Sequence, residues 1–439
     1  MILTQYAYKN NQLIVKLFIR STYLLLIALG SIQYSHAQIS DTTRILFEQY
    51  YDSSNHANSF KGILPNHFPI VQKKENYNSE DVQFIEKFKP VSARDYILNA
   101  AKDVNILLIN EHHLVPYSRV YISSLLEDLK ALGYNKLFYE SLSYTDNNLN
   151  ERGFTINSSG FYTREAMASE MIRTAISSNL KVYPYEQRDS QKEIHEKRYR
   201  ALLRQEIDEL KQKNKKINHR KYDIEHHEEF IELSTRDLSQ YINICNAFEP
   251  GDKIIIVCGH GHLKKKAYGG WRPLGYWLEK DSRFNCLSVN IADAISQEDN
   301  ELNNIISIVN PNSPIVLIDD SGLTYNKKEY QIYESRKIEG LYDMNVFFPL
   351  NYHSKLELKS HLKNRTSIPV AIPPTNQPPF SIIAFKTTEL SIDNNANPFD
   401  VLFIENESTI PIMYLDKGTF EIYILQNDRL QRLDNIINE

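Results

Sequence analysis

Residues 104–119 read VNILLINEHHLVPYSR. An apolar-rich run stops at Asn110-Glu111-His112-His113, and a helical pattern follows. An unbroken apolar run bounded by polar residues and leading into a helix is the pattern of a strand buried on both faces of a parallel sheet. The polar cluster then sits at the strand's carboxyl end, the edge at which open α/β sheets bind ligands. The pattern returns three times. Lys136-Leu137-Phe138-Tyr139 leads into Glu140, Lys181-Val182-Tyr183-Pro184-Tyr185 into Glu186, and Lys253–Cys258 into Gly259-His260-Gly261-His262. If these strands are parallel neighbours, their Glu and His side chains converge on one pocket, which predicts an enzyme rather than a scaffold.

The chain around them has 439 residues, 42% of them hydrophobic, enough for a large core and more than one structural unit. A formal net charge of −5 gives no reason to expect nucleic acid or an acidic membrane as partner. Lys9, Lys16 and Arg20 precede an apolar run from Tyr23 to Leu29, and Ser35-His36-Ala37 supplies small residues at −3 and −1. This predicts a secretory signal peptide over 1–37, too short in its apolar part for a comfortable membrane span, and hence an exported protein, periplasmic or secreted. No later transmembrane candidate follows. Cys245, Cys258 and Cys286 are odd in number and lack metal-like spacing, so no disulfide framework is expected.

Residues 38–100 read as a helical and loop segment without chemistry, with one helix after Asp41-Thr42-Thr43 and another from Ser92-Ala93-Arg94-Asp95. Val120, Leu125, Leu129 and Leu132 give a helical stripe that ends at Gly133. Residues 146–161 form a polar loop, and Thr163-Arg164-Glu165 opens the next helix. Residues 189–248 are the most charged and predict a helical hairpin, broken around 214–219, whose charges form a solvated face. His226-His227 within it needs no metal to explain it. Pro314–Ile318 is a strand expected to extend the sheet. After residue 360 prolines crowd in, and 400–404, 410–414 and 420–425 read as short strands, with Asp416-Lys417-Gly418 as a hairpin turn. The expected fold is α/β, with a mostly parallel sheet flanked by helices, a charged helical hairpin insertion and a small C-terminal β appendage. The expected boundaries are 101–360 for the α/β domain and 361–439 for the Pro-rich linker and appendage.

An imidazole can take a proton from water near neutral pH, and a carboxylate on its other nitrogen fixes the tautomer. Glu111 and Glu140 are both placed to do this for His113, while His262 can protonate a leaving group or stabilise an oxyanion. The same two His and two Glu also suit a metal site, so the residues fit both a metal-free base and a metal-bound hydroxide.

Asn110-Glu111-His112-His113 resembles the Gly-Glu-x-His motif of the erythromycin esterase/ChaN-like/TraB superfamily, which also follows a first strand. Gly133 to Glu140, Gly160–Glu165, Ser234-Thr235-Arg236-Asp237 with Asn243-Ile244, Lys253 to His262, and Pro273–Leu278 are similar to family segments in the same order. The resemblance covers residues 100–295. Asn110 stands where the family has Gly, and Gly-His-Gly-His is closer to the ChaN-like Gly-x-x-His form than to the esterase His-Asn-x-His form. The resemblance implies that His113 activates water, Glu111 and Glu140 orient it, and His262 completes the pocket. Arg119, Glu186, Arg188, Arg236 and His260 are the candidates for substrate contact, although strand alternation turns His112 and His260 away. The leading expectation is an exported hydrolase that cleaves an ester or related acyl bond of a small molecule without a cofactor. The alternatives are a TraB-type peptidase holding a divalent metal such as zinc on His113, Glu140 and His262, and a ChaN-type protein that binds haem or another ligand.

Overall fold

The computed structural model describes residues 79–439 except 114–115, 214–227, 260, 268–269, 293–299, 326–328, 331–336, 339, 350–361, 363, 405–410 and 427–428. The signal peptide, the helix expected after Asp41, the break at 214–219, His226-His227 and His260 lie outside the described residues. Among the described residues no helix is long and apolar enough to cross a membrane.

The apolar runs become the strands β1 Ile106–Glu111, β2 Lys136–Tyr139, β3 Lys181–Tyr183, β4 Ile254–Gly259 and β5 Cys286–Asn290, with β6 Met344–Asn345 at one edge. They form one six-stranded sheet in the order β6-β5-β1-β4-β2-β3, and every pairing is parallel. Alternate side chains serve opposite faces. Leu107, Ile109, Leu137, Tyr139, Ile255 and Val257 pack with helices α1 Pro116–Ala131 and α2 Ala166–Ser177. Ile106, Leu108, Phe138, Ile254, Ile256 and Cys258 face the residues Ile244, Leu274 and Leu278. Burying each such side chain contributes about 1.5–3 kcal/mol. A one-residue slip of a strand would exchange the two sets, so the register is strongly specified.

Local chemistry sets the helix ends. Pro116 opens α1, where a missing N–H costs nothing, and Gly133, at φ +93°, turns the chain beyond its end. The Glu165 side chain caps α2 by accepting from Met167 N and Ala168 N, both at 2.9 Å. The charged hairpin forms as α3 Asp189–Gln212 and α4 Glu228–Ala247, and α5 is Leu274–Lys280. The inner side of α4 is not a solvated face, however. Ser234, Thr235, Asp237, Ser239 and Gln240 are all buried there, because this side walls the polar end of the sheet.

Two pairings differ from expectation. Ile315–Ile318 pairs antiparallel with Lys89–Ser92 in a separate ladder instead of extending the main sheet. Its apolar run requires burial but names no partner. Asp416-Lys417-Gly418 is a corner rather than a hairpin turn. Ile412–Leu415 before it pairs with Thr366–Pro369, while Gly418–Gln426 after it pairs with Phe380–Lys386, a strand that directly follows the Pro-rich stretch. These C-terminal strands pack onto the α/β core, where Ile383, Phe385, Val401 and Tyr423 share one buried cluster with α1 and α2. Arg173 of α2 also grips Glu389 through Nε at 2.7 Å and Nη2 at 2.6 Å.

Asn110, the departure from the family's Gly, has a structural use. Its Nδ2 donates to Asn290 Oδ1 at 2.8 Å, and Asn290 Nδ2 donates to Asn345 Oδ1 at 2.7 Å, which ties β1, β5 and β6 together. Asn110 Oδ1 accepts from Ile291 N at 2.7 Å and Ala292 N at 3.0 Å. All three amides are buried at the carboxyl edge, immediately before Glu111.

Candidate active site

Although β1 and β2 are consecutive in sequence, β4 lies between them. The register sets Glu111 opposite Gly259, and Val257 opposite Tyr139. Glu111 and Glu140 therefore flank the end of β4, with a glycine between them. A Cβ built on Gly259 would lie 2.9 Å from His113 Nε2 and 3.2 Å from Glu140 Oε2, so both atoms border the space above this residue.

His113 is anchored by Glu111, whose Oε1 lies 2.7 Å from Nδ1. Tyr139 OH also donates to Glu111 Oε1, at 3.3 Å. Glu111 and Arg119 are both fully buried and form an ion pair at 2.7 Å. Arg119 continues to Glu165 Oε2 at 3.0 Å and to the His113 carbonyl at 2.8 Å. Arg119, a candidate for substrate contact, is fully buried and serves the protein's own carboxylates. Burial alone would raise the Glu111 carboxyl, but the charges of Arg119 and His113 outweigh it and hold the carboxyl below its usual range. The His113 ring stays 31% exposed, and Tyr162 stacks on it with centroids 4.2 Å apart and planes 12° apart.

His262 repeats the arrangement. Its Nδ1 lies 2.6 Å from Asp237 Oδ1. Asp237 is fully buried and also accepts from Leu274 N at 2.8 Å and Trp271 Nε1 at 2.7 Å. Nε2 of His262 lies 3.6 Å from Glu140 Oε1. Burial and the Arg236 charge would lower this imidazole, but Asp237 and Glu140 outweigh them and raise it from 6.5 to about 9. Arg236 Nη1 approaches Nε2 to 3.1 Å, a contact that becomes a hydrogen bond once Nε2 gives up its proton.

Arg236 joins the two halves. Its Nη2 donates to Glu140 Oε1 and also to Glu186 Oε2, the latter at 2.5 Å, while Nε donates to Glu186 Oε1 at 2.9 Å. Gly259 N donates to Glu140 Oε2 at 2.5 Å. Burial would raise Glu140; His262, Arg236 and His113 outweigh it and bring it down to about 2.

The structure thus brings Glu111, His113, Glu140, His262, Glu186 and Arg236 to one edge. Arg188 is exposed, and its guanidinium covers the Tyr144 ring at 3.8 Å. Asp237, Tyr162, Trp271 and Glu165 had no assigned role in the sequence. Asp237 adjoins Arg236, and Tyr162 and Glu165 lie in Gly160–Glu165; both segments resemble the family, which was the available signal. Among the described residues no three His, Cys, Asp or Glu side chains are grouped to hold a metal ion. His113, Glu140 and His262 do not fit the expected ligand set, because the Arg236 guanidinium already occupies the cationic position between Glu140 and His262.

The fold is α/β with a parallel sheet, and its site consists of two carboxylate-anchored imidazoles beside an ion pair between the buried Glu140 and the partly exposed Arg236 at the carboxyl edge. No family model and no curated protein matches the chain. The solved structures it is similar to include one described as "Cofacial heme binding to ChaN of Campylobacter jejuni", at 17% identity over 49% of this chain and 90% of that chain, with a TM-score of 0.32. The type III effector HopBA1 is similar at 16% identity over 46% of this chain and 85% of that chain, with a TM-score of 0.25. RRSP, a MARTX toxin effector domain from Vibrio vulnificus CMCP6, is similar at 13% identity over 65% of this chain and 48% of that chain, with a TM-score of 0.30.

Proposed function

We propose that the protein is an exported hydrolase in which His113 activates water against an ester or related acyl bond of a small molecule. The observation that carries this reading is the pair of imidazoles, each tied through Nδ1 to a buried carboxylate, with His262 Nε2 3.6 Å from Glu140 and His113 Nε2 bordering, as Glu140 does, the space above Gly259. His113 Nε2 takes a proton from water, and the hydroxide attacks the carbonyl carbon. Charge developing on the carbonyl oxygen meets Arg236 and the His262 imidazolium, a preorganised positive pair that needs no reorganisation. When the tetrahedral intermediate collapses, the leaving oxygen takes the Nε2 proton of His262. Arg236 Nη1 then donates to the vacated nitrogen. Glu111 holds His113 in the tautomer that accepts at Nε2, and Arg119 keeps Glu111 ionised. The two histidines divide base and acid work because their surroundings differ.

The test is hydrolysis of a panel of aryl and alkyl esters and lactones by the full chain. His113→Ala should lower kcat/KM by about 10²–10⁴-fold, with the melting temperature retained. Full activity in this variant rejects the mechanism. Chelators should leave turnover unchanged.

Haem binding is the second reading. His113, with its exposed ring and an Nε2 that accepts no hydrogen bond from the described residues, is the nitrogen an iron would reach. A Soret band on haem titration, lost in His113→Ala, together with no turnover of any ester, would favour it over hydrolysis.

A further inference from the structure

The chain between β2 and α2 is held from two sides. Within it, Gly160 rests on Ser141, where a Cβ would lie 1.8 Å from the carbonyl oxygen, so no other residue fits there. From the C-terminal strands comes Asn397, only 4% exposed. Its Nδ2 lies within donating distance of Thr155 Oγ1 at 3.0 Å, Ile156 O at 3.1 Å and Thr163 O at 2.9 Å. Its backbone N–H donates to Thr155 O at 3.0 Å, and Asn157 N donates to Asn395 O at 3.0 Å. Ile156 and Ala396 form an antiparallel bridge. These contacts clamp residues 155–163, and the residue inside the clamp that faces the site is Tyr162, stacked on His113.

We infer that the C-terminal β unit completes the site, with Asn397 and Tyr162 acting as positioning residues for His113. The inference rests on His113 being the base. One hydrogen bond to Nδ1 fixes where that nitrogen sits but leaves the ring free to tilt about it. A parallel ring against one face removes that freedom and holds Nε2 over Gly259. Tyr162 can do this only while its loop keeps its place. That place is set by an amide more than 230 residues away in sequence, as the separations of 242 and 234 to Thr155 and Thr163 record. The unit that reads from sequence as an appendage is therefore part of the device that aims the base.

The experiment uses the full chain and two readouts. Proton NMR of the His113 ring, assigned by the signal missing in His113→Ala, reports the ring current of Tyr162 whether or not the protein is a hydrolase. Ester turnover reports the base. Tyr162→Phe should match the native protein in both. Tyr162→Leu should move the His113 signals downfield and lower kcat about 10–100-fold with little change in KM, as misplacing a reacting group by about 1 Å does. Asn397→Ala should move both readouts in the same direction, with circular dichroism unchanged. If that variant does not fold, Thr155→Val, which removes one acceptor and keeps the volume, should give a smaller shift of the same sign. His113 signals unmoved in Tyr162→Leu overturn the stacking role. His113 signals unmoved in a folded Asn397→Ala, or in Thr155→Val, overturn the C-terminal link. If His113→Ala keeps full activity, the hydrolase reading fails, and the NMR shifts still decide the positioning.

Discussion

Replacing Asp237 with Asn keeps the shape of the contact beneath His262 and removes its charge. The His262 imidazole is raised from 6.5 to about 9. At about 1.4 kcal/mol per tenfold, that is about 3 kcal/mol of stability linked to this one proton. Because the folded value is the higher one, this stability is fully present below pH 6.5 and is lost as pH rises through 9. Asp237, at 2.6 Å from Nδ1, supplies more of it than Glu140, at 3.6 Å from Nε2. Asp237→Asn should therefore remove at least half, about 2 kcal/mol, of the fall in stability between pH 6 and 9.5. Urea unfolding of native and variant chains at constant ionic strength measures this, and taking the difference between them cancels the other titrating groups. NMR titration of the His262 ring gives an independent value of the shift. A native-minus-variant difference that stays flat from pH 6 to 9.5 would refute the claim that Asp237 holds His262 charged.

The acid side has the opposite sign. Glu140, lowered from 4.5 to about 2, contributes stability that is present above pH 4.5 and lost as pH falls through 2, so Glu140→Gln should flatten acid unfolding across that window. Gly259→Ala places a methyl 2.9 Å from His113 Nε2; kcat should drop about 10²-fold while the melting curve barely moves, and native turnover would mean that the ring does not work from this position. Arg119→Met leaves two buried carboxylates without their cation and should cost about 3–5 kcal/mol in denaturant unfolding, a loss that a surface arginine would not produce. Asn110→Ala breaks the amide ladder and strands Ile291 N and Ala292 N, with an expected cost of about 1–3 kcal/mol by the same measurement.

The sequence by itself determined the four core strands and the residues that end them. A strand buried on both faces has to be an unbroken apolar run, and a parallel sheet has to return through helices, so Val104–Glu111 and its three counterparts could be read without partners. It also placed His113, Glu140 and His262 at strand ends, because the change from apolar to polar is a local signal. Only the tertiary structure decided that β4 lies between β1 and β2, which sets a glycine between Glu111 and Glu140. It also turned the charged helix 228–247 so that Arg236 and Asp237 enter the site. Tyr162 was brought over His113 from a loop held by Asn397. Local periodicity reports how much of a segment is buried, not against what. Ion pairs and ring contacts between residues tens to hundreds of positions apart exist only once the layers have packed.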